Sequence, residues 1–137
     1  GHMAFPGGHR NPEDETLLQT AIRETWEEVG LSLHPASFLG TLNEVAPLAR
    51  NYDLWITPCV FKISEWGEFR LLASEVRTIH RFSFLRFLSR EGRGEFLYTW
   101  HGTQIQLPCI WMDEKRIWGL TLKMLDDLMS RVSQERF

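Results

Sequence analysis

Between residues 18 and 29, the side chains suited to burial recur three and four positions apart: Leu18, Ala21, Ile22, Thr25 and Val29. At 3.6 residues per turn these fall on one side, so the pattern predicts an amphipathic helix packed on a core. Its ends are marked. Asp14 or Thr16 can cap the first amides, Thr16-x-x-Gln19 fits a capping box, and Gly30 fits the left-handed position after the last turn. Strand character follows at residues 37–45 and is strongest at residues 54–63, where Pro58 implies an edge or a bulge. Residues 75–82 alternate and predict another strand, and residues 84–89 a short helix. Residues 95–100 and 103–107, divided by His101-Gly102, predict a hairpin. Residues 116–118 lead into a final helix over residues 120–132. Its buried side is Leu120, Leu122, Met124, Leu125, Leu128 and Met129, with Asp126 and Asp127 outside. Strands in series with helices on both faces predict an α/β/α sandwich.

Composition narrows the class without changing this outline. The chain has 137 residues, enough for one hydrophobic core, and its 43% hydrophobic and 24% charged residues are ordinary for a soluble globular protein. A net charge of −3 disfavours a general nucleic-acid surface, and no apolar run approaches a membrane span. Cys59 and Cys109 lie in apolar surroundings and read as reduced core residues of a cytoplasmic protein, not as a disulfide or metal pair. Gly1-His2 reads as a tag-cleavage scar and Met3 as a start, leaving residues 4–137 as a single domain.

The predicted first helix carries the candidate chemistry. Glu24, Glu27 and Glu28 project together, and three ionised carboxylates so close repel one another unless a cation joins them. Two readings stand at this point: a solvated acidic face screened by Arg23, or a set of hard oxygen ligands for a divalent metal. The helix is preceded by the glycine turn Phe5-Pro6-Gly7-Gly8, which favours the second.

The segment resembles the Nudix box, in which a glycine turn and a glutamate precede Arg-Glu-apolar-x-Glu-Glu-x-Gly-apolar. Arg23, Glu24, Glu27, Glu28, Gly30 and Leu31 match, with Thr25 in an aliphatic position. In the first half, Glu15 has the family's spacing to Arg23, whereas Asp14 has the family's spacing to Gly8. Phe5 to Gly8, Asp14, Thr20-Ala21 and the Arg23 to Gly30 segment are similar to the coenzyme A diphosphatase group, with Asn11 replacing an aspartate. Ile117-Trp118-Gly119-Leu120-Thr121 matches that group's tail, although Ile117 and Trp118 also suit simple packing.

The resemblance implies a Nudix-type α/β/α sandwich with a mixed sheet, its N-terminal strands missing or supplied by a partner chain. It implies Mg²⁺ or Mn²⁺ held by Glu24, Glu27, Glu28 and the backbone of Gly8. Arg23 corresponds to the residue that orients a box glutamate, and Glu27 and Glu28 to catalytic carboxylates. Glu75 falls where the group has a glutamate near the metals, which makes it a candidate base or outer ligand; alone it reads equally as a surface glutamate. His9 and Arg10, after the turn, are candidates to touch a phosphate. The implied activity is hydrolysis of the diphosphate bond of a nucleoside diphosphate derivative, coenzyme A or acyl-coenzyme A first, with ADP-ribose, NADH or related compounds as alternatives. A second reading is a catalytically weak Nudix-fold module that binds a nucleotide or a protein. Relatives carry strands ahead of the position of Phe5, and a sheet without them leaves open edges, so a homodimer is expected. Most of the six tryptophans are expected in the core or an interface, with Trp100 and Trp111 the exposed candidates for stacking. His80 and His101 have no partner pattern.

Overall fold

The computed structural model describes residues 3–47, 54–72, 74 and 78–134. The chain divides into two compact units: Phe5–Leu42 with Thr57–Arg81, and Gly1–Ala4 with Asn43–Ile56 and Phe82–Phe137.

In the first unit the predicted helix is α1, Leu17–Val29. Thr16 is its cap, accepting from the Gln19 N–H at 3.2 Å. The Gln19 side chain answers by accepting from the Glu15 N–H at 2.6 Å, one residue before the position a standard capping box uses. Gly30 is left-handed at φ 69° and donates to the Trp26 carbonyl at 2.9 Å, which ends the helix as expected. Thr20, Thr25 and Val29 are buried, and Leu18, Ala21 and Ile22 are half-buried. Two carbonyls of the last turn are met by a later segment: Arg70 N–H donates to Val29 at 2.7 Å and Leu72 N–H to Glu28 at 3.1 Å. Such groups have no partner within a helix, so this segment completes its end.

A turn of 3₁₀ helix at Pro35–Ser37 leads into β1, Phe38–Thr41, which pairs antiparallel with β2, Cys59–Phe61. Both strands are shorter than the sequence pattern predicts. Pro58 has no N–H to give a ladder; it stands just before β2 and only accepts, from the Leu42 N–H at 3.0 Å. The register also shifts between Phe38 and Gly40.

The second unit holds α2 (Phe84–Leu88), β3 (Arg93–Trp100), β4 (Thr103–Met112), β5 (Lys115–Ile117) and α3 (Gly119–Gln134). The strands run in the order β3-β4-β5, both pairs antiparallel. The predicted hairpin closes at Trp100↔Thr103, and His101 (φ 47°) and Gly102 (φ 80°) supply the two left-handed positions a tight hairpin turn needs. A second turn of the same kind, Asp113 (φ 49°) and Glu114 (φ 66°), creates β5, which the hydrophobic pattern did not announce. Side chains alternate across the sheet. Ile110, Met112 and Ile117 face Leu122, Leu125 and Met129 of α3 and Phe87 of α2, forming the principal core cluster.

Two expectations change. Residues 78–82 take no regular structure in place of the predicted strand, and residues 75–77 lie outside the described residues. Locally, Thr78 and His80 bond side chain to side chain at 2.9 Å. The described strand pairs are antiparallel, and with the helices they give the α/β architecture expected of a Nudix-type fold. Trp100 and Trp111 are exposed as expected; Trp26, Trp55 and Trp66 are exposed too, and so are not core residues of this chain. The strand period gives the reason for Trp111: it stands between Ile110 and Met112, which take the core side. Cys109 is buried and Cys59 half-buried; both are free thiols, and burial pushes both up from the usual thiol value.

Candidate active site

The site is organised around a buried carboxylate. Asp14 is only 6% exposed. It accepts from Arg23 at 2.9 Å, from the Asn11 N–H at 2.9 Å and from the Thr20 hydroxyl at 3.0 Å. The Arg23 guanidinium, then the Asn11 N–H, and to a lesser degree Thr20, hold Asp14 far below the usual carboxylate range, outweighing the opposing effect of burial. Reciprocally, Asp14 and the two glutamates that Arg23 reaches raise the arginine further above its already high value.

Arg23 uses its fork on four partners. Besides Asp14, it donates to Glu24 at 3.0 Å, to Glu27 at 3.1 Å and to the His9 carbonyl at 3.0 Å. The planar guanidinium thus ties the glycine turn to the acidic face of α1. Glu28 is engaged separately: its carboxylate accepts from the Gly7 N–H at 3.1 Å. Gly8 lies so close to the Glu24 carboxylate that a Cβ at this position would overlap it, so a side chain here would push the Glu24 carboxylate from its present place. Each of the three box glutamates therefore meets the turn or the arginine that holds it.

A comparison with known families decides what this arrangement is. The model of the NUDIX domain matches residues 1–100. The chain belongs to that family. It is also similar to Nudix hydrolases named NudL, described as uncharacterized, from Yersinia pestis (strain Pestoides F) and Yersinia pseudotuberculosis serotype O:3 (strain YPIII). Each is 31% identical over 144 residues, covering 97% of this chain and 65% of the relative. The chain thus spans just under two thirds of the length of these relatives.

The candidate residues fall as follows. Arg23, Glu24, Glu27, Glu28 and Gly8 are brought together. Arg10 turns toward backbone, donating to the carbonyls of Asp14 at 2.9 Å and Glu15 at 2.8 Å. His9 is exposed and contributes its carbonyl to Arg23. Glu75 lies outside the described residues. The sequence pattern left Asp14 and Glu15 competing for one place in the box. Asp14 is the one that meets Arg23, while Glu15 is exposed. Its signal was the joint spacing to Gly8, Thr20 and Arg23. Sequence reasoning used Asp14 only for capping and for register, and missed it as the hub.

The donor set is of the right kind for Mg²⁺ or Mn²⁺: carboxylates one helical turn apart beside a glycine backbone that approaches them closely. In the present arrangement Arg23 is the cation that Glu24 and Glu27 face. Among the described residues no three His, Cys, Asp or Glu side chains are gathered tightly enough to hold a metal ion. Among the same residues no helix is long and apolar enough to cross a membrane.

Proposed function

We propose that this chain is a divalent-metal-dependent hydrolase cleaving the diphosphate bond of a nucleoside diphosphate derivative, with coenzyme A or an acyl-coenzyme A as the first substrate. One observation carries the reading: Glu24, Glu27 and Glu28 are set on one side of α1 and each is held by the glycine turn or by Arg23. The NudL relatives carry the name Nudix hydrolase, which agrees with it. The coenzyme A preference rests on the match of Phe5 to Gly8, Asp14, Thr20-Ala21 and the Ile117-Trp118-Gly119 tail to that group.

Glu24, Glu27, Glu28 and the Gly8 carbonyl are the groups that would hold Mg²⁺ or Mn²⁺. Bound there, such an ion would supply charge neutralisation for the diphosphate and a lowered pKa for an attacking water. The chain's own contribution is orientation. Asp14, fixed by Asn11 and Thr20, fixes Arg23, and Arg23 sets the direction of Glu24 and Glu27. Glu24 and Glu27 must turn part of their charge from Arg23 to the metal, while Asp14 keeps the arginine in place. Glu75 is the candidate general base or outer ligand. His9 is a candidate for phosphate contact; Arg10 is another once it leaves the carbonyls it now holds. The same reading includes a homodimer in the cytoplasm, and a monomer in sedimentation equilibrium would remove the dimer from it.

The test is product release from coenzyme A, ADP-ribose, NADH and dinucleoside polyphosphates with added Mg²⁺ or Mn²⁺. Equal rates for wild type and Glu28→Gln on every substrate would refute catalysis by this site. The engagement of Glu24 and Glu27 by Arg23 favours a second reading, a module that binds without turnover. Calorimetric binding of metal and nucleotide with no product released would establish that one instead.

A further inference from the structure

In the hairpin unit, a half-open cleft of about 520 Å³ lies between α3 and the segment joining α2 to β3. One wall is a single face of α3: Asp126, Met129, Ser130 and Ser133 follow the i, i+3, i+4, i+7 spacing. A helix packing on its neighbours usually places large apolar residues at such positions. Here two are serines, and the small side chains leave the volume unfilled. Phe87 and Met129, each 7% exposed, supply an apolar floor.

The opposite wall is basic. Arg90 and Arg93 both line it. Arg90 sits in the turn after α2 at φ 63°, a conformation uncommon for a residue with a side chain, and makes no ion pair among the described residues. Arg93 pairs with Asp126 through one terminal nitrogen, and its Nε is buried without a hydrogen-bond partner. An orphaned buried donor in a folded protein calls for a physical reason. Two guanidinium groups against one carboxylate leave the lining with an excess positive charge. The volume also lies within the usual range for small-molecule sites.

We propose that this cleft binds an organic oxyanion, a carboxylate or a phosphate monoester carrying an apolar tail. The head pairs with Arg90, and with Arg93 after a shift of its side chain that releases the buried Nε; the Ser130 hydroxyl adds a hydrogen bond, as does Ser133 on turning its proton from the Met129 carbonyl it now meets at 2.7 Å, and the tail lies on Phe87 and Met129. The chemistry fits either a carboxylate or a phosphate ester, so both are tested on the full chain.

Octanoate, octyl phosphate, inorganic phosphate and 1-octanol are titrated into the protein while α3 and the β3 amides are followed by NMR. Shifts confined to residues around Arg90 and Ser133, with octanoate or octyl phosphate binding at least about tenfold tighter than 1-octanol, are expected. The stronger of the two identifies the head group. Arg90→Gln should weaken the charged ligands about tenfold and leave 1-octanol unchanged. Ser133→Leu, which fills the cleft and keeps both arginines, should block all tailed ligands while circular dichroism and melting remain native. Unchanged affinity in both variants, equal binding of 1-octanol, or no shift at millimolar octanoate and octyl phosphate overturns the proposal. Inorganic phosphate binding as tightly as octyl phosphate overturns the role of the apolar floor.

Discussion

The two units keep different chemistry away from water. In the hairpin unit, Ile110, Met112, Ile117, Leu122, Leu125, Met129 and Phe87 are buried against one another. In the unit that carries the glycine turn and α1, the buried set includes Asp14, Thr20 and Thr25, which are the buried polar side chains among the described residues. Apolar burial is non-directional: it holds elements together and tolerates small rearrangements. A buried carboxylate is costly unless each lone pair finds a donor, so Asp14 accepts only the few geometries that satisfy it. The unit that must aim three glutamates is therefore built around a network that fixes direction, and the other around contacts that supply cohesion.

The largest test of this contrast is Glu28→Gln. If the unit with the glycine turn and α1 carries the chemistry, metal-dependent hydrolysis should fall about a thousandfold, with melting changed little; the check is initial rate against metal concentration. Ile110→Ala should do the opposite. Truncating a fully buried side chain is expected to cost about 3 kcal/mol in denaturant unfolding while the folded fraction keeps its metal affinity. Should Ile110→Ala abolish metal binding as well, the division of labour is wrong.

Asp14→Asn sharpens the comparison from inside the network. It keeps the shape but removes the charge that holds Arg23, so metal affinity and kcat should drop by about tenfold to a hundredfold, measured by calorimetry and rate. The same variant has a pH signature. Because Asp14 is held ionised far below its ordinary value, its stabilisation is full above the unfolded-state pKa of about 4 and is lost as pH falls through the folded-state value. The acid limb of the melting curve should therefore be shallower in Asp14→Asn than in wild type, and parallel limbs would count against the network. Smallest is Thr16→Ala, which removes the helix cap and should cost about 1 kcal/mol in thermal unfolding, with kcat unchanged.

Some of this molecule is written in short stretches of chain. Helix α1, its cap at Thr16, its left-handed stop at Gly30, the short helix α2 and the turn at His101-Gly102 follow from spacings of a few residues, because their hydrogen bonds close locally. The gathering of Glu24, Glu27 and Glu28 on one side was legible for the same reason. The strand predicted at residues 75–82 was not so secure. Alternation alone does not supply a partner, and residues 78–82 remain irregular. The exposure of Trp26, Trp55 and Trp66 also escaped the pattern, since a tryptophan's burial depends on which distant surface it meets.

By itself, then, the sequence determined an amphipathic acidic helix after a glycine turn, a hairpin and a closing helix, because periodicity and turn chemistry act over one or two turns of chain. Only the tertiary structure decided between Asp14 and Glu15. The two differ by one position, but residues this close to a helix start point in different directions, and only Asp14 lies where the Asn11 amide, the Thr20 hydroxyl and Arg23 meet. That convergence depends on how the glycine turn folds back on α1; the spacing of Asp14 to Gly8, Thr20 and Arg23 is compatible with it but does not by itself bring these groups together.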